Sequence, residues 1–389
     1  MSRLAHKLRS FVERLPASFL LGVRLAASDS VAFGASVTGL AVGVLVMFVE
    51  VGFLISILQA QARIATLVRG DLIIMSAART SLHDWRRFDR VRLAQALGYK
   101  EVEQAIPIYE GGMLLRNPPA RSVHRVIAFA FPADAMPLDI GNPTKVKEEL
   151  QKPNAILFDR LSRPLFGQIS RGKEIELNNQ TYGVAGLVDF GPDMIMDGAV
   201  FMSEGTWLST DPNARPIMGV IRLKPGTNIT LAEHKLRALL PGDVTVMTPH
   251  DAYVREIAFT LRAAPIGFIF GLGAAAGLVI GAIICYQTLY NQIFDCAKEY
   301  ATLRVMGFSN SFFRRVMIEQ GVLLALASLV VGGIGAMAAY WLLGDATGMP
   351  ITLGMDILLV VGIPTVGVSA FAADMACRHV LAPAPTELY

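Results

Sequence analysis

One run of 28 residues, Val31 to Leu58, in which Glu50 is the sole ionisable side chain, constrains this chain more than any other feature. A helix needs about 20 apolar residues to cross the bilayer core, and this run exceeds that. Pro265 to Leu289 adds 25 residues without a charge, and Gly321 to Leu343 is also uncharged. A fourth stretch, 17 residues between Asp356 and Asp374, is at the short end of the spanning range and is interrupted by Pro364. The composition agrees: 53% of residues are hydrophobic and 17% charged, against about 25% charged in soluble domains. A disordered, collagen-like or disulfide-scaffold chain is excluded, and a wholly soluble enzyme is disfavoured. The net charge of +3 gives no reason to expect nucleic acid. A secretory signal is a poor reading of the first run, because its apolar stretch is about twice the length of a signal core and its basic leader is some 30 residues.

Lys and Arg in short loops stay in the cytoplasm during insertion. The leader contains Arg3, Lys7, Arg9, Arg14 and Arg24, and the loop from Tyr290 to Arg315 contains Lys298, Arg304, Arg314 and Arg315. The connection from Gly344 to Asp356 has Asp345 and Asp356 but no basic residue. Both termini and the middle loop are therefore expected in the cytoplasm, and the long polar segment between the first two runs on the outer side. The expected fold is an α-helical membrane protein with four transmembrane helices and a large α/β extracytoplasmic domain inserted between the first and second. The expected division is a cytoplasmic amphipathic leader (1–30), transmembrane helix 1 (31–58), the extracytoplasmic domain (59–262) with room for two subdomains, and transmembrane helix 2 (263–290). A cytoplasmic coupling loop (291–315), helix 3 (316–343), a short outer loop (344–356), helix 4 (357–376) and a cytoplasmic tail (377–389) follow.

Within the outer segment, strand-like runs at Leu72–Met75, Val126–Phe131, Ala155–Phe158 and Gly219–Leu223 alternate with helical stretches at Asp89–Leu97 and Leu231–Leu240. Asn178-Asn179-Gln180 between Ile175 and Tyr182 predicts a hairpin. Asp251 to Arg262 lacks Gly and Pro and predicts a helix that runs straight into the second span, with a flexible linker as the alternative.

Motifs for chemistry are sparse. Gly167 to Glu174 matches the first seven positions of a phosphate-binding loop but places Glu174 where Ser or Thr must hold magnesium, and reads as a loop between elements. No H-E-x-x-H, C-x-x-C or G-x-S-x-G occurs, and the six His are dispersed. No metal site is expected, and the chain by itself reads as no enzyme. Cys285, Cys296 and Cys377 all lie outside the outer segment and read as packing or incidental thiols. Gly273, Gly277 and Gly281 fall on one helical face and invite close helix packing within or between protomers, as Gly39 and Gly43 do once in the first span. Glu50 is costly in lipid and must face the bundle, a partner or the outer interface; snorkelling is the favoured reading over an ion or proton relay. In the leader, Leu4, Leu8, Phe11, Val12 and Leu15 share a face with Arg3, Lys7 and Arg14 off it, which describes an interfacial helix ending at Pro16. In the middle loop, Tyr300, Leu303 and Met306 recur every three residues and Gly307 stops the helix. The exposed stripe needs a cover, either the membrane surface or a cytoplasmic partner whose groove takes a helix.

At this loop, Lys298-Glu299-Tyr300-Ala301-Thr302-Leu303-Arg304-Val305-Met306-Gly307 resembles the E-x-x-x-L-R-x-x-G signature of FtsX/MacB-type (type VII) ABC transporter permeases, DevC-like members in particular. The resemblance extends through Ala155 to Gly167, Pro265 to Phe270 and Tyr286 to Tyr290. Departures are Phe259 and Leu261-Arg262-Ala263-Ala264, where members carry aromatic residues before the second span, and Asp295-Cys296-Ala297, which replaces a more polar approach to the loop helix. The resemblance implies a homodimeric permease of the bacterial inner membrane, paired with a cytoplasmic ABC ATPase subunit that holds the ATP and Mg. No cofactor is expected in this chain. It implies mechanotransmission to a periplasmic domain, export of lipid-like or other envelope cargo, and a periplasmic adaptor with a TolC-like outer-membrane channel. By position, Glu299, Tyr300, Leu303, Arg304, Met306 and Gly307 become the ATPase-coupling residues. A membrane-anchored receptor or scaffold is the rival reading, and an uncoupled secondary transporter is a third, disfavoured by the lack of paired ionisable groups in the spans.

Overall fold

Four helices long and apolar enough to cross a membrane contain the four apolar runs. The computed structural model describes residues 30–118, 122–192, 196–263, 265–295, 302, 304–347 and 351–381; the expected leader helix lies outside the described residues. In chain order the elements are α1 (Ser30–Leu67), β1 (Leu72–Ser76), α2 (Val91–Leu97), β2 (Val102–Arg116), β3 (Val123–Phe131), α3 (Pro143–Leu150) and β4 (Ala155–Asp159). They continue with β5 (Glu174–Leu177), β6 (Gln180–Val188), β7 (Ala199–Ser203), α4 (Glu204–Thr210), β8 (Met218–Leu223), α5 (Ile229–Leu239), β9 (Val244–Met247) and α6 (Pro249–Ala263). The last three are α7 (Ile266–Asp295), α8 (Asn310–Thr347) and α9 (Met355–Leu381).

The chain divides into two units. The membrane unit takes the described residues up to Ile55, together with Gly267–Leu342 and those from Ile351 onward. Its helices meet at small residues. A Cβ on Gly43 would strike the carbonyl of Gly277 and one on Gly277 the carbonyl of Gly43, while Gly332 lies against Ala41 and Val44 and Gly321 against Ser369 and Ala373. In lipid, where water supplies no hydrophobic drive between helices, such close backbone approach is what holds spans together. Ser328 Oγ donates to the Val37 carbonyl at 3.1 Å and the Tyr340 hydroxyl to that of Phe48. Helix α9 continues through Pro364, which the sequence reading took as an interruption. The Thr365 hydroxyl turns back onto the Val361 carbonyl at 2.7 Å, the i−4 back-bond by which Thr satisfies its hydroxyl inside a helix.

The outer unit is built on Ser56–Ile266. Strands β9-β1-β8-β2 form an antiparallel sheet, with α2 between β1 and β2 and α5 between β8 and β9: a split βαβ pair. Leu72, Ile74, Ile221 and Val246 pack with Leu93, Ala96 and Leu236 of these helices, whereas Ile73, Met75, Val220 and Met247 face a different core with Ile64, Ala65 and Ala252. Both sheet faces are covered, so β1 reads as an uninterrupted buried run. The segment between β2 and β8 closes on itself. The second half of β2 pairs with β3, then β7, β4, β6 and β5 follow, and β5 returns to β2 at Leu115 and Arg116. Val126, Ala128, Ile156, Phe158, Val200 and Met202 fill this ring, while their alternate neighbours Ile127, Phe129, Leu157 and Phe201 join the core beneath the first sheet. Two lobes thus exist, but β2 and one apolar cluster belong to both.

Asn178 and Asn179 adopt φ of 47° and 67° and form the two-residue turn of the β5–β6 hairpin, as Asn tolerates left-handed backbone. Asn142 and Asn228 cap α3 and α5 through their side chains.

Candidate functional site

Three places are candidates for function: the loop between the second and third spans, the glycine face in the membrane unit, and the docking of α1 and α6 in the outer unit. Of the loop residues, Glu299, Tyr300 and Leu303 lie outside the described residues. Gly307 has φ +95°, and its N–H bonds the Arg304 carbonyl at 3.0 Å while the Met306 N–H bonds that of Thr302 at 3.1 Å. A left-handed glycine after the last turn stops a helix without a Cβ penalty. Arg304 Nε and Nη2 donate to Asn310 Oδ1 at 3.2 and 2.8 Å, so Arg304 is tied to the first residue of α8. Val305 is 90% and Met306 70% exposed. Arg304 and Gly307 therefore shape the turn, while Met306 and Val305 present apolar surface. Val305 escaped sequence reading because it lies off the three-residue stripe.

The three glycines of α7 face α1 of the same chain. Gly277 meets Gly43 and Met47, Gly281 meets Leu40, and a Cβ on Gly273 would run into the Glu50 carboxyl. The small-residue face is used within the protomer, and Glu50 packs into the space Gly273 leaves. Sequence reading had treated these two features separately.

In the outer unit, the end of α1 docks through Ala60, Ala62, Ile64 and Ala65, all buried. Arg63 Nη1 donates to the Phe190 carbonyl. Beyond the helix, Asp139 N–H bonds the Leu67 carbonyl and Arg69 N–H that of Pro137 at 2.8 Å, with Val68 bridging Leu138. Helix α6 docks differently. Its buried side chains are Ala252, Glu256 and Thr260, four residues apart on one face. Glu256, 2% exposed, accepts from Ser81 Oγ at 2.7 Å and Leu82 N–H at 2.5 Å, and its carboxylate lies 3.5 Å from His83 Nδ1. Burial alone would raise the Glu256 carboxyl, but the hydrogen bonds from His83, Leu82 and Ser81 outweigh it and hold the group below the usual value.

The loop that receives Glu256 is wrapped around a second buried charge, Arg79. Its guanidinium donates to the carbonyls of Ser81 at 3.0 Å, Ile217 at 2.9 Å and Leu82, while Arg255 of α6 donates to the Arg79 carbonyl. Burial lowers the Arg79 pKa, opposed by the charges of Glu110, Asp84 and Glu256. Thr248 and Asp251 exchange hydrogen bonds at the start of α6 and fix its entry. Asp251 to Arg262 is helical as expected, within α6, which is described to Ala263; α7 is described from Ile266, and residue 264 between them lies outside the described residues.

Asp159, in the stretch that carried the resemblance, is fully buried and accepts from the N–H groups of Phe190, Gly191 and Leu161 at 2.8, 2.9 and 3.0 Å and from the Ser162 hydroxyl at 3.3 Å. It knits the end of β4 to the segment after β6 and touches nothing outside the fold. The phosphate-loop look-alike is an exposed loop between elements whose lysine bonds within it: Lys173 Nζ bonds the Gln168 carbonyl at 3.0 Å, and the Gly172 N–H bonds the Val184 carbonyl at 2.8 Å. Among the described residues no group of three or more His, Cys, Asp or Glu is placed to hold a metal.

Comparison with known proteins follows from this architecture. Among solved structures the chain is similar to the periplasmic region of MacB from Actinobacillus actinomycetemcomitans, at 14% identity and a TM-score of 0.37, over 53% of this chain and 99% of that one. It is similar to the extracellular domain of the noncanonic ABC-type transporter YknZ from Gram-positive bacteria, at 14% identity, TM-score 0.33, over 46% of this chain and 99% of that one. A domain of a putative permease protein from Porphyromonas gingivalis matches at 12% identity, TM-score 0.33, over 46% and 88% of the two chains. A search of curated proteins gave no match. Residues 33–239 match the MacB-like periplasmic core domain and residues 262–381 the FtsX-like permease C-terminal domain. These two domains account for the inserted sheet and the three spans after it, and the chain belongs to the FtsX/MacB-type permeases of ABC transporters.

Proposed function

We propose that this chain is the membrane-spanning, non-catalytic subunit of an ATP-driven exporter or mechanotransmitter. It works as a homodimer in the bacterial inner membrane, with both termini cytoplasmic and the sheet domain periplasmic. A separate ABC ATPase binds ATP and Mg and takes the loop between α7 and α8 into a groove, through Glu299, Tyr300, Leu303 and Met306 together with Val305. Arg304 and Gly307 set the angle of that loop. Closure of the ATPase pair moves the spans, and the spans move the outer domain through α1 and α6. The cargo is lipid-like or another envelope component, and a DevC-like arrangement with a periplasmic adaptor and TolC-like channel is the fullest form of the reading.

The observation that carries it is the exposed apolar pair Val305 and Met306 on a turn inside the FtsX-like match. A solvent-facing apolar surface in a loop between two spans calls for a partner that covers it. To test this, the full chain is tagged at its C-terminus, purified from gently solubilised native membranes and compared with Leu303→Asp. The wild-type chain is expected to retain a nucleotide-hydrolysing subunit, and Leu303→Asp to lose it while remaining folded. Retention by both would remove the loop from the coupling role. Absence of any ATPase from the wild-type sample would favour a receptor or scaffold.

A further inference from the structure

We propose that Asp374 and Arg314 are positioning residues for force transmission: together they join the end of the cytoplasmic loop to the fourth span, so that α8 and α9 move as one body. The inference rests on the ATPase reading above. Asp374 lies on α9 and is 9% exposed. Two guanidinium groups converge on it. Arg378, one turn on in the same helix, reaches Oδ2 at 2.9 Å, and Arg314 of α8 donates from Nε to Oδ1. The first contact stays within a helix, whereas the second crosses between helices.

Arg314 is placed to receive motion from the loop. It stands four residues after Asn310, on the same helical face, and Asn310 Oδ1 accepts both nitrogens of Arg304. Arg304–Asn310 and Arg314–Asp374 thus form a polar ladder from the loop, along one face of the first turns of α8, to α9. Next to it Phe313, Val316 and Met317 are buried, and further along α8 a Cβ on Gly321 would strike the Ser369 carbonyl and Ala373 of α9. The ion pair and the close backbone contact at Gly321 lie two turns apart on one face of α8 and meet the same stretch of α9, so both oppose sliding of the two helices. The Asp374 side chain is shielded while that of Arg314 is half exposed, so what the pair adds is a fixed point between two helices rather than a large energy.

The test uses the complex of the full chain with its co-purified ATPase in lipid nanodiscs, and reads the ATP-dependent change in hydrogen exchange of outer-unit peptides. Arg314→Gln should cut that change by about fivefold or more, the low end of typical coupling strengths, with the ATPase still bound at wild-type stoichiometry. Arg378→Gln removes a charge from the same carboxylate but no link between helices, and should leave the change intact. Arg314→Lys, which keeps the charge, should recover most of it. Equal effects of Arg314→Gln and Arg378→Gln, no effect of Arg314→Gln, loss of the bound ATPase in Arg314→Gln, or Arg314→Lys behaving as Arg314→Gln would each overturn the proposal. Failure of the ATPase reading itself shows separately, in an unmutated chain that holds no ATPase.

Discussion

Helix α1 enters the outer unit on Ala60, Ala62, Ile64 and Ala65, whereas α6 leaves it on Ala252, Glu256 and Thr260. The first attachment is a small-residue apolar face, aided by Arg63 on the Phe190 carbonyl. The second centres on one carboxylate with three donor groups around it, received by a loop that is itself wound on Arg79. Apolar packing is non-directional, and hydrogen bonds to a buried charge are directional and strong. One helix is therefore held by fit and the other by fixed register. On the proposed function, a pull along α6 would act on β1 and its loop, and one along α1 on the core beneath the sheet.

Several substitutions can break that contrast. The largest effect is expected from Glu256→Ala, which strands the buried Leu82 N–H and removes the acceptor of the Ser81 hydroxyl, at a cost of about 3 kcal/mol. Denaturant unfolding of the outer unit in the purified chain measures it. Ile64→Ala should cost about 2 kcal/mol, because the side chain is buried at the edge of the cluster and the gap can partly close. Its effect should be the same at neutral and acid pH, which is where the two attachments part.

Acid sharpens the difference. Glu256 is held below its ordinary value of 4.5, so its stabilisation is fully present above that value and is lost as pH falls through the folded-state pKa. Hydrogen exchange followed from neutral pH downward should show Ser81–Asp84 and α6 loosening before the end of α1, and Glu256→Gln should flatten that early acid limb. If both attachments loosen together, the polar clamp does not govern α6. The smallest effect belongs to Arg63→Met, which gives up a hydrogen bond worth about 1 kcal/mol while keeping the packing of the stem; thermal unfolding should register a slight loss with no pH dependence.

Much of this fold is legible from residue pattern. The strands at Leu72, Val126, Ala155 and Gly219, the helices at Asp89 and Leu231 and the Asn178-Asn179 turn all form where periodicity and turn chemistry put them, because each signal is local. The closure of the inner ring is not local. β2 pairs with three partners across the insert, with Pro107 inside it, and nothing within 15 residues of chain announces that. The α6 clamp was hidden for another reason. Val254 and Leu261 look like the buried stripe of this helix yet are 50% and 41% exposed, while Glu256 lies inside; a lone acid on an amphipathic helix reads as solvated until its donors, 173 to 175 residues away, are known. The glycine face was visible as small residues at four-residue spacing, but its partner, Gly43 and Glu50 of the same chain, was not.

Motion from an ATPase is proposed to reach the outer unit through the two attachments. The most direct measurement is hydrogen exchange across the outer unit of the intact complex in nanodiscs, with and without ATP. ATP-dependent changes are expected to centre on Ser81–Asp84 with α6 and on the end of α1 with Leu138 and Phe190, with unchanged exchange in the β5–β6 hairpin. Uniform exchange with and without ATP, in a complex that hydrolyses it, would contradict the account.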